Sequence, residues 1–205
     1  EPQRKIQLCL RLAKWYADDL NRPEYAQPYY QQVHALDPNN VAVLRQMANF
    51  YKKSGRHQEQ GQMLQQAYNN ALTDVDRKET LTEIGEVLHN NMGQADQGIV
   101  YYRRALEIDP HHVPALEHLE RIHTERGQTA ELVDVLSAKA KGLTSPDAVA
   151  QTKLRAAGIY ESQLAQAEKG AQVYREVLEV DAGNLAAMKG LERIYQSLSQ
   201  WTELV

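Results

Sequence analysis

The feature that most constrains the fold of this chain is an internal repeat. The segments HALDPNNVAVLRQMANFY (34–51), LEIDPHHVPALEHLERIH (106–123) and LEVDAGNLAAMKGLERIY (178–195) align without gaps, each 72 residues after the one before. Self-similarity at a fixed period is the signature of repeat architectures, in which each unit packs on its neighbours. We therefore expect one repeat array over residues 1–205 and not a set of ordinary globular domains.

Each 72-residue cycle divides into two units of about 35 and 37 residues, and each unit contains two helical patterns. In the second unit, the apolar residues Val41, Leu44, Met47 and Tyr51 share one helical face. The links between units (DPNN, TDVDR, DPHH, TSPDA and DAGN) carry residues that cap or start helices. No strand pattern is found. The sequence predicts an all-α chain of about six antiparallel helix pairs. Their first helices are expected to start near Ile6, Val41, Lys78, Val113, Ala150 and Leu185.

The spacing of residues within the units resembles the tetratricopeptide repeat (TPR) family. In the second unit, the family positions are held by Leu44, Met47, Ala48, Tyr51, Gln60, Leu64 and Ala67. In the third unit, they are held by Leu81, Ile84, Gly85, Leu88, Gly98, Tyr102 and Ala105. The resemblance covers nearly the whole chain, and it implies a right-handed superhelical solenoid whose first helices line the concave surface. It also implies that Tyr30, Tyr102 and Tyr174, which the 72-residue shift aligns, are core spacers.

The two ends of the array carry further expectations. Twelve helical segments are predicted, the twelfth cut short, with Gly55, Gly93 and Gly127 in turns. The last unit stops at WTELV, where Trp201, Leu204 and Val205 are all apolar, so we expect a fragment of a longer, bacterial-type array. The apolar end also predicts self-association through this truncated unit. Trp15, at the position of Val87 and Ile159 in later cycles, is expected to be buried.

Composition narrows the function classes. The net charge of -4 argues against a general nucleic-acid binder, which needs an excess of Lys and Arg on one face. No segment approaches the ~20 apolar residues of a membrane span, so no membrane insertion is expected. The single cysteine, Cys9, excludes an intramolecular disulfide and a thiolate-rich zinc site, which fits a reducing, cytoplasmic location. Cys9 holds an inward apolar position and is expected to be a buried, inert thiol.

No catalytic or metal-binding constellation stands out, and we predict neither an enzyme nor a cofactor. His118 and His123 are five residues apart, too far around a helix to share a metal, and His123 takes a core position held elsewhere by tyrosine. His111 and His112 lie in a link and are expected to be solvated.

Glu120 and Glu192 also lack the arrangement of a catalytic carboxylate pair, because they belong to units 72 residues apart. Each is followed directly by an arginine, so a local ion pair with that arginine is expected instead.

The resemblance places ligand contacts on the exposed side of the first helices. Carried over to this sequence, the candidate partner-binding residues are Lys14, Arg45, Asn49, Lys52, Lys53, Glu86, His89, Glu117, Arg121, Lys189 and Arg193. A basic second unit therefore faces an acidic third. The family's two-carboxylate clamp for chaperone tails is disfavoured, because Arg45 and Asn49 match its first part but Glu83, Pro114 and His118 supply neither its amide nor its cations.

These observations favour a non-catalytic scaffold that binds a protein partner on the concave face or at an inter-repeat edge. The partner is either a peptide or a folded regulator such as a small GTPase, since the family docks both. Two alternatives stay open. One is a regulatory repeat segment of a larger enzyme, and the other is a nucleic-acid reader similar to the pentatricopeptide arrays, which the acidic balance speaks against.

Overall fold

The computed structural model describes residues 2–198, which form helices joined by short links, with no strand in that range. The chain divides into two compact units, the first ending at Ile108 and the second beginning at Asp109. The first unit contains α1 (Pro2–Lys14), α2 (Pro23–Leu36), α3 (Val41–Lys53), α4 (His57–Asn70), α5 (Asp74–Glu86) and α6 (Ala95–Ile108). The second contains α7 (Val113–Glu125), α8 (Thr129–Gly142), α9 (Pro146–Ser162), α10 (Ala167–Val180) and α11 (Leu185–Ser197). The all-α prediction is confirmed.

Within each unit, consecutive helices pack on each other, and the antiparallel pairs are α1–α2, α3–α4, α5–α6, α7–α8 and α9–α10. The links begin the first helices through side-chain caps. Asn40 and Asn184 accept hydrogen bonds from the backbone nitrogens of Val43 (3.2 Å) and Ala187 (3.1 Å). Thr73 caps α5 in the same way, with a bond of 3.0 Å from Asp76. The caps at Thr73 and Ser145 start α5 and α9 about one turn before the predicted starts.

The turns inside the helix pairs alternate between two kinds. In the first, third and fifth pairs, the first helix ends in a wide turn, in which Leu20, Met92 and Leu164 each donate a backbone hydrogen bond to the carbonyl five residues earlier. In the first and third pairs this turn is π-helical, at Trp15–Asp19 and Val87–Asn91.

The second and fourth pairs use a tighter turn built on a glycine. Gly55 has φ +69° and Gly127 φ +65°, in the left-handed region that glycine adopts most readily. The predicted turns at Gly55, Gly93 and Gly127 are confirmed. In the wide turns, the matching left-handed position holds Asn21, Gly93 and Ala165, at φ +49°, +65° and +52°. The two kinds of turn therefore alternate with the same 72-residue period as the sequence.

The predicted core spacers Tyr30, Tyr102 and Tyr174 are buried, as expected. Small residues on the first helices make room for them. A Cβ atom at Gly85 would lie 2.6 Å from Cε1 of Tyr102, and one at Gly190 would overlap the ring of Tyr174. These glycines therefore set how closely a first helix approaches a tyrosine on a second helix.

Two further core predictions concern Cys9 and His123, and both are confirmed. Cys9 is buried, with its thiol 3.5 Å from Oε1 of Gln32. His123 is buried, and its Nδ1 lies 2.8 Å from Oε1 of Gln128, a residue of the following turn.

The prediction for Trp15 is wrong, because its side chain is 48% exposed. Val87 and Ile159, at the matching positions of later cycles, are buried against residues of the preceding helix pair. Among residues 2–198, no helix pair covers the same face of Trp15.

The prediction that both link histidines are solvated is half wrong. His111 is exposed, but His112 is buried. The link bends back through bonds from the nitrogens of His111 and His112 to Asp109. The end of α8 then packs over it, with Gly142 against the carbonyl of His111.

The predictions for the chain's end concern Trp201, Leu204, Val205 and a truncated twelfth helical segment. They lie outside the described residues.

Candidate functional site

Arg45 on α3 is the most connected of the predicted binding residues. Its guanidinium lies 3.0 Å from Glu83, 3.2 Å from Glu79 and 3.8 Å from Asp76, all on α5. The side chain is only 26% exposed. The charge of Arg45, which the sequence analysis assigned to ligand binding, is thus already balanced by carboxylates of α5.

Lys52 and Lys53, next to each other at the end of α3, differ in whether a carboxylate balances their charge. The Nζ of Lys52 lies 3.1 Å from Oε1 of Glu86, another predicted binding residue on α5. Lys53 is exposed and forms no ion pair with any residue between 2 and 198. Of these two lysines, Lys53 is the one whose charge is unbalanced.

The electrostatics of this site are those of a partly buried carboxylate cluster. Burial raises the pKa of Glu83 above its ordinary value, and the charge and hydrogen bond of Arg45 lower it only in part. The charges of Glu79 and Glu86 raise this pKa further. Arg45 therefore keeps the α5 carboxylates together.

These side chains surround a cleft of about 240 Å³ between α3, α4 and α5, which we call the α3–α5 cleft. Its charged residues are Arg45, Lys52, Glu83 and Glu86, and its floor is formed by Leu64 and Gln60 of α4. The cleft is also lined by Ala48 and by the predicted binding residue Asn49. The structure therefore brings four predicted residues together, Arg45, Asn49, Lys52 and Glu86.

Gln60 gives the cleft an unusual floor. It is 5% exposed, and its Oε1 lies 3.4 Å from Nδ1 of His57. The matching position in the first, third and fifth pairs holds a small residue, Ala26, Gly98 or Gly170. A buried amide at this place offers a ligand both a donor and an acceptor.

In the second compact unit, which begins at Asp109, Glu120 is the centre of a separate charge cluster. Its carboxylate accepts hydrogen bonds from Lys139 of α8 at 2.9 Å and from Arg155 of α9. Lys139 also lies 3.2 Å from the predicted binding residue Glu117. The prediction of a local pair with the following arginine did not include these two cations, which α8 and α9 supply.

Glu117 and Arg121 line a cleft of about 470 Å³ together with Glu120, Lys139 and Arg155. Its lining side chains are exposed or half-buried, so this cleft lacks the buried floor of the α3–α5 cleft.

Arg193 on α11 is likewise held by another helix. Its Nε and terminal nitrogen each lie 2.9 Å from an oxygen of Glu161 on α9, a two-bond arrangement. Glu192 instead accepts a bond of 3.2 Å from Gln196. The predicted pair of Glu192 with its following arginine is wrong, since that arginine binds Glu161.

The remaining predicted residues are Lys14, His89 and Lys189. Lys14 and Lys189 are exposed, and His89 is half-buried where α6 passes close to α5 at Gly98. The predicted set of binding residues does not contain the partners Glu79, Glu83, Gln60, Glu161, Lys139 and Arg155. Part of the signal was present, because residues 45 and 79, and 52 and 86, carry opposite charges one unit apart.

Solved structures show what the helix pairs resemble. A structure from work titled "Functional Characterization of Pseudomonas Aeruginosa pilF" has a TM-score of 0.60 and 16% identity, covering 92% of this chain and 80% of that one. The MamA protein has a TM-score of 0.63 and 15% identity, covering 88% and 93%. YrrB, described as a TPR protein with an unusual peptide-binding site, has a TM-score of 0.54 and 17% identity, covering 88% of each chain. At these identities the likeness shows the fold.

A sequence profile described as "Tetratricopeptide repeat" matches residues 79–112, in α5, α6 and the link after them. This part of the chain is a tetratricopeptide repeat. No curated protein sequence is significantly similar to this chain.

Within residues 2–198, no group of three or more His, Cys, Asp or Glu side chains is placed to hold a metal ion. None of the helices in that range is both long and apolar enough to cross a membrane.

Proposed function

We propose that this protein is a non-catalytic scaffold that binds a protein partner in the α3–α5 cleft. The observation that carries the proposal is the polar floor of this cleft. Gln60 stands where three other pairs have a small residue, and it lies beneath Asn49 and two opposite charge pairs. Polar groups collected in a partly enclosed cleft are the arrangement that orients a ligand.

The charge balance of the cleft indicates the chemistry of the ligand. Lys52 is matched by Glu86 and Arg45 by Glu83, so the cleft carries no excess cation. An acidic segment has to displace a carboxylate of α5 before it reaches either cation. A neutral polar side chain, or a backbone segment with its own donors and acceptors, binds Gln60 and Asn49 without that exchange.

A peptide is the partner that these features favour. YrrB, which shares the fold at 17% identity, is described as having a peptide-binding site, and this adds support. The alternative of a folded regulator such as a small GTPase uses the same side chains through one of its surface loops. A nucleic-acid ligand is not favoured, because Arg45 and Lys52 are both paired with carboxylates.

The test is selection of peptides from a displayed random library on the full chain. Asn49→Trp fills the cleft from its rim, and Gln66→Trp adds the same side chain at an exposed site of α4 outside the cleft. We expect selected peptides to lose binding to Asn49→Trp and to keep it with Gln66→Trp. Peptides that bind both variants equally would place the site elsewhere.

A second experiment separates the two lysines. Lys53→Glu changes an unbalanced charge, whereas Lys52→Glu sets two carboxylates against each other at Glu86. If the partner is acidic, the Lys53 variant slows its association and lowers its salt dependence, with little change in the melting curve. Pull-downs followed by mass spectrometry compare the two variants. The expected cytoplasmic location and the self-association through the last unit both stay predictions, which cell fractionation and sedimentation would check.

A further inference from the structure

The outer face of α1 exposes large apolar side chains. Leu8 is 58% exposed and Trp15 is 48% exposed. With Leu12 they line a cleft of about 550 Å³, whose charged residues are Arg11, Lys14 and Asp19. We call these six residues the α1 end face. Large exposed aliphatic and indole groups that lie together mark a surface that binds another molecule.

The same positions are covered by a helix pair elsewhere in the first unit. Leu12 corresponds to Ile84 and Trp15 to Val87, one 72-residue cycle later on α5. Ile84 and Val87 are buried in one cluster with Ala48 of α3 and Leu64 of α4. This face of α5 therefore packs against the preceding helix pair, α3–α4.

The second unit repeats this arrangement. Two cycles after Leu12 and Trp15 stand Ala156 and Ile159 of α9. They are buried against Leu132, Val133 and Leu136 of α8. In both units, then, the face that α1 leaves exposed is a seat for a helical hairpin with an aliphatic face.

The charges at this seat indicate which hairpin fits. The position of Arg11 is held by Glu83 on α5 and by Arg155 on α9. Glu83 pairs with Arg45 of the preceding pair, and Arg155 pairs with Glu120 of the preceding pair. The preceding first helix thus supplies the opposite charge in both cases. Since α1 has an arginine here, as α9 does, its complement is a carboxylate.

We propose that the α1 end face binds a helical hairpin with an aliphatic second helix and with glutamates on its first helix, as α7–α8 has. Arg11 and Lys14 pair with the glutamates, and Leu8, Leu12 and Trp15 contact the aliphatic side chains. This surface is separate from the α3–α5 cleft, so the proposal does not depend on the proposed function.

The test uses the full chain with two peptide probes. One has the sequence of residues 113–142, which contains Glu117, Glu120 and the α8 aliphatic residues. The control has the sequence of residues 41–70, the same hairpin type with Arg45 in place of Glu117 and Ala48 in place of Glu120. In a Trp201→Phe background, Trp15 is the only tryptophan of the chain, and its fluorescence reports binding. We expect the acidic hairpin to shift this emission to the blue and to bind about tenfold more tightly than the control.

Charge reversal on α1 assigns the site. Arg11→Glu with Lys14→Glu should weaken the acidic hairpin about tenfold and strengthen the control hairpin. The peptide could also bind by displacing the chain's own α7–α8 from α9. Because α9 is unchanged in this variant, binding of that kind would not be weakened. Joining each hairpin to the N-terminus through the chain's own TSPDA link makes the contact intramolecular and reveals weak binding by the same blue shift.

Three results would overturn the proposal. Equal affinity for the two hairpins would remove the charge argument. The absence of any shift in both the free and the joined formats would remove the site itself. Dimerisation of the chain alone, abolished by Trp15→Glu in sedimentation, would assign the face to a second copy instead.

Discussion

The phenol of Tyr174 on α10 donates a hydrogen bond of 2.9 Å to Oε2 of Glu161 on α9. Arg193 of α11 binds both oxygens of the same carboxylate, so one side chain connects three helices of the second unit. Burial and the bond to Glu161 raise the pKa of Tyr174 to about 12. The hydrogen bond from Arg193, together with that from Tyr174, lowers the pKa of Glu161.

Replacing Glu161 by Gln should therefore have a pH-dependent effect. A carboxyl whose pKa is lower in the folded state stabilises above its unfolded value of 4.5, and this is lost as the pH falls through the folded pKa. We expect Glu161→Gln to lower the free energy of unfolding by on the order of 1 kcal/mol at pH 7, since solvent around Arg193 screens the pair. Urea unfolding at neutral and acidic pH measures the difference.

The control for this prediction is Glu192→Gln. Glu192 is exposed, and among residues 2–198 it bonds only to Gln196 of its own helix, so its replacement should have a small effect that changes little with pH. A loss at Glu161 that persists unchanged in acid would show that the carboxylate charge is not what matters there.

Arg45→Met should destabilise the first unit because it leaves the α5 carboxylates without their cation. We expect a loss of about 1–3 kcal/mol at pH 7. Burial already raises the pKa of Glu83, and without Arg45 it rises further, so Glu83 takes up a proton more readily in the folded state. The loss should therefore be smaller at pH 5 than at pH 7 in thermal or urea unfolding.

Arg77→Met is the matched variant, because within the described part of the chain Arg77 pairs only with Asp74 on the exposed side of α5. It should change stability by less than about 0.5 kcal/mol. Equal effects of the two variants would mean that the cluster at Arg45 is no more stabilising than an ordinary surface pair.

Two helical glycines should respond to alanine in opposite directions. Gly85→Ala places a Cβ atom 2.6 Å from the buried ring of Tyr102, and overpacking of this kind costs about 1–3 kcal/mol. Gly61→Ala on α4 meets no atom within 4 Å, so the better helix propensity should add about 0.5–1 kcal/mol. Chemical unfolding of both variants measures these changes in stability. Adding Tyr102→Leu should restore part of the stability lost in Gly85→Ala, because the smaller side chain leaves room for the new Cβ atom.

The left-handed turn position offers a reciprocal pair of substitutions. Ala165 has φ +52°, where an alanine is strained, and Gly93 holds the same position one cycle earlier at φ +65°. Ala165→Gly should raise the free energy of unfolding by about 1 kcal/mol, and Gly93→Ala should lower it by a similar amount. Melting curves that move in the same direction for both would contradict the shared turn geometry.

Much of the fold could be read from the sequence because the repeat aligns residues that have the same physical task. The burial of Tyr102 and the turn at Gly127 follow from a pattern of side-chain size and backbone freedom that recurs every 72 residues. Trp15 shows the limit of this reasoning. Its matching residues are buried by a preceding helix pair, and burial depends on the neighbour as well as on the residue.

The candidate site was less accessible to sequence reasoning. The family resemblance selected Arg45 and Lys52 correctly as first-helix residues, but it gave no account of what faces them. Glu83 and Glu86 reach those cations because of the way the α3–α4 and α5–α6 pairs pack on each other. This packing is not readable from either segment alone. The cleft floor at Gln60 was visible only as a departure from the small residue expected there.

The alternation of wide and glycine turns has a consequence for how such a chain lengthens. A duplication or deletion of one helix pair would set two turns of the same kind side by side, an order that residues 2–198 do not contain. A change of 72 residues would preserve the order of every turn. The inherited module of this protein, and the natural block for shuffling or engineering it, is therefore two helix pairs.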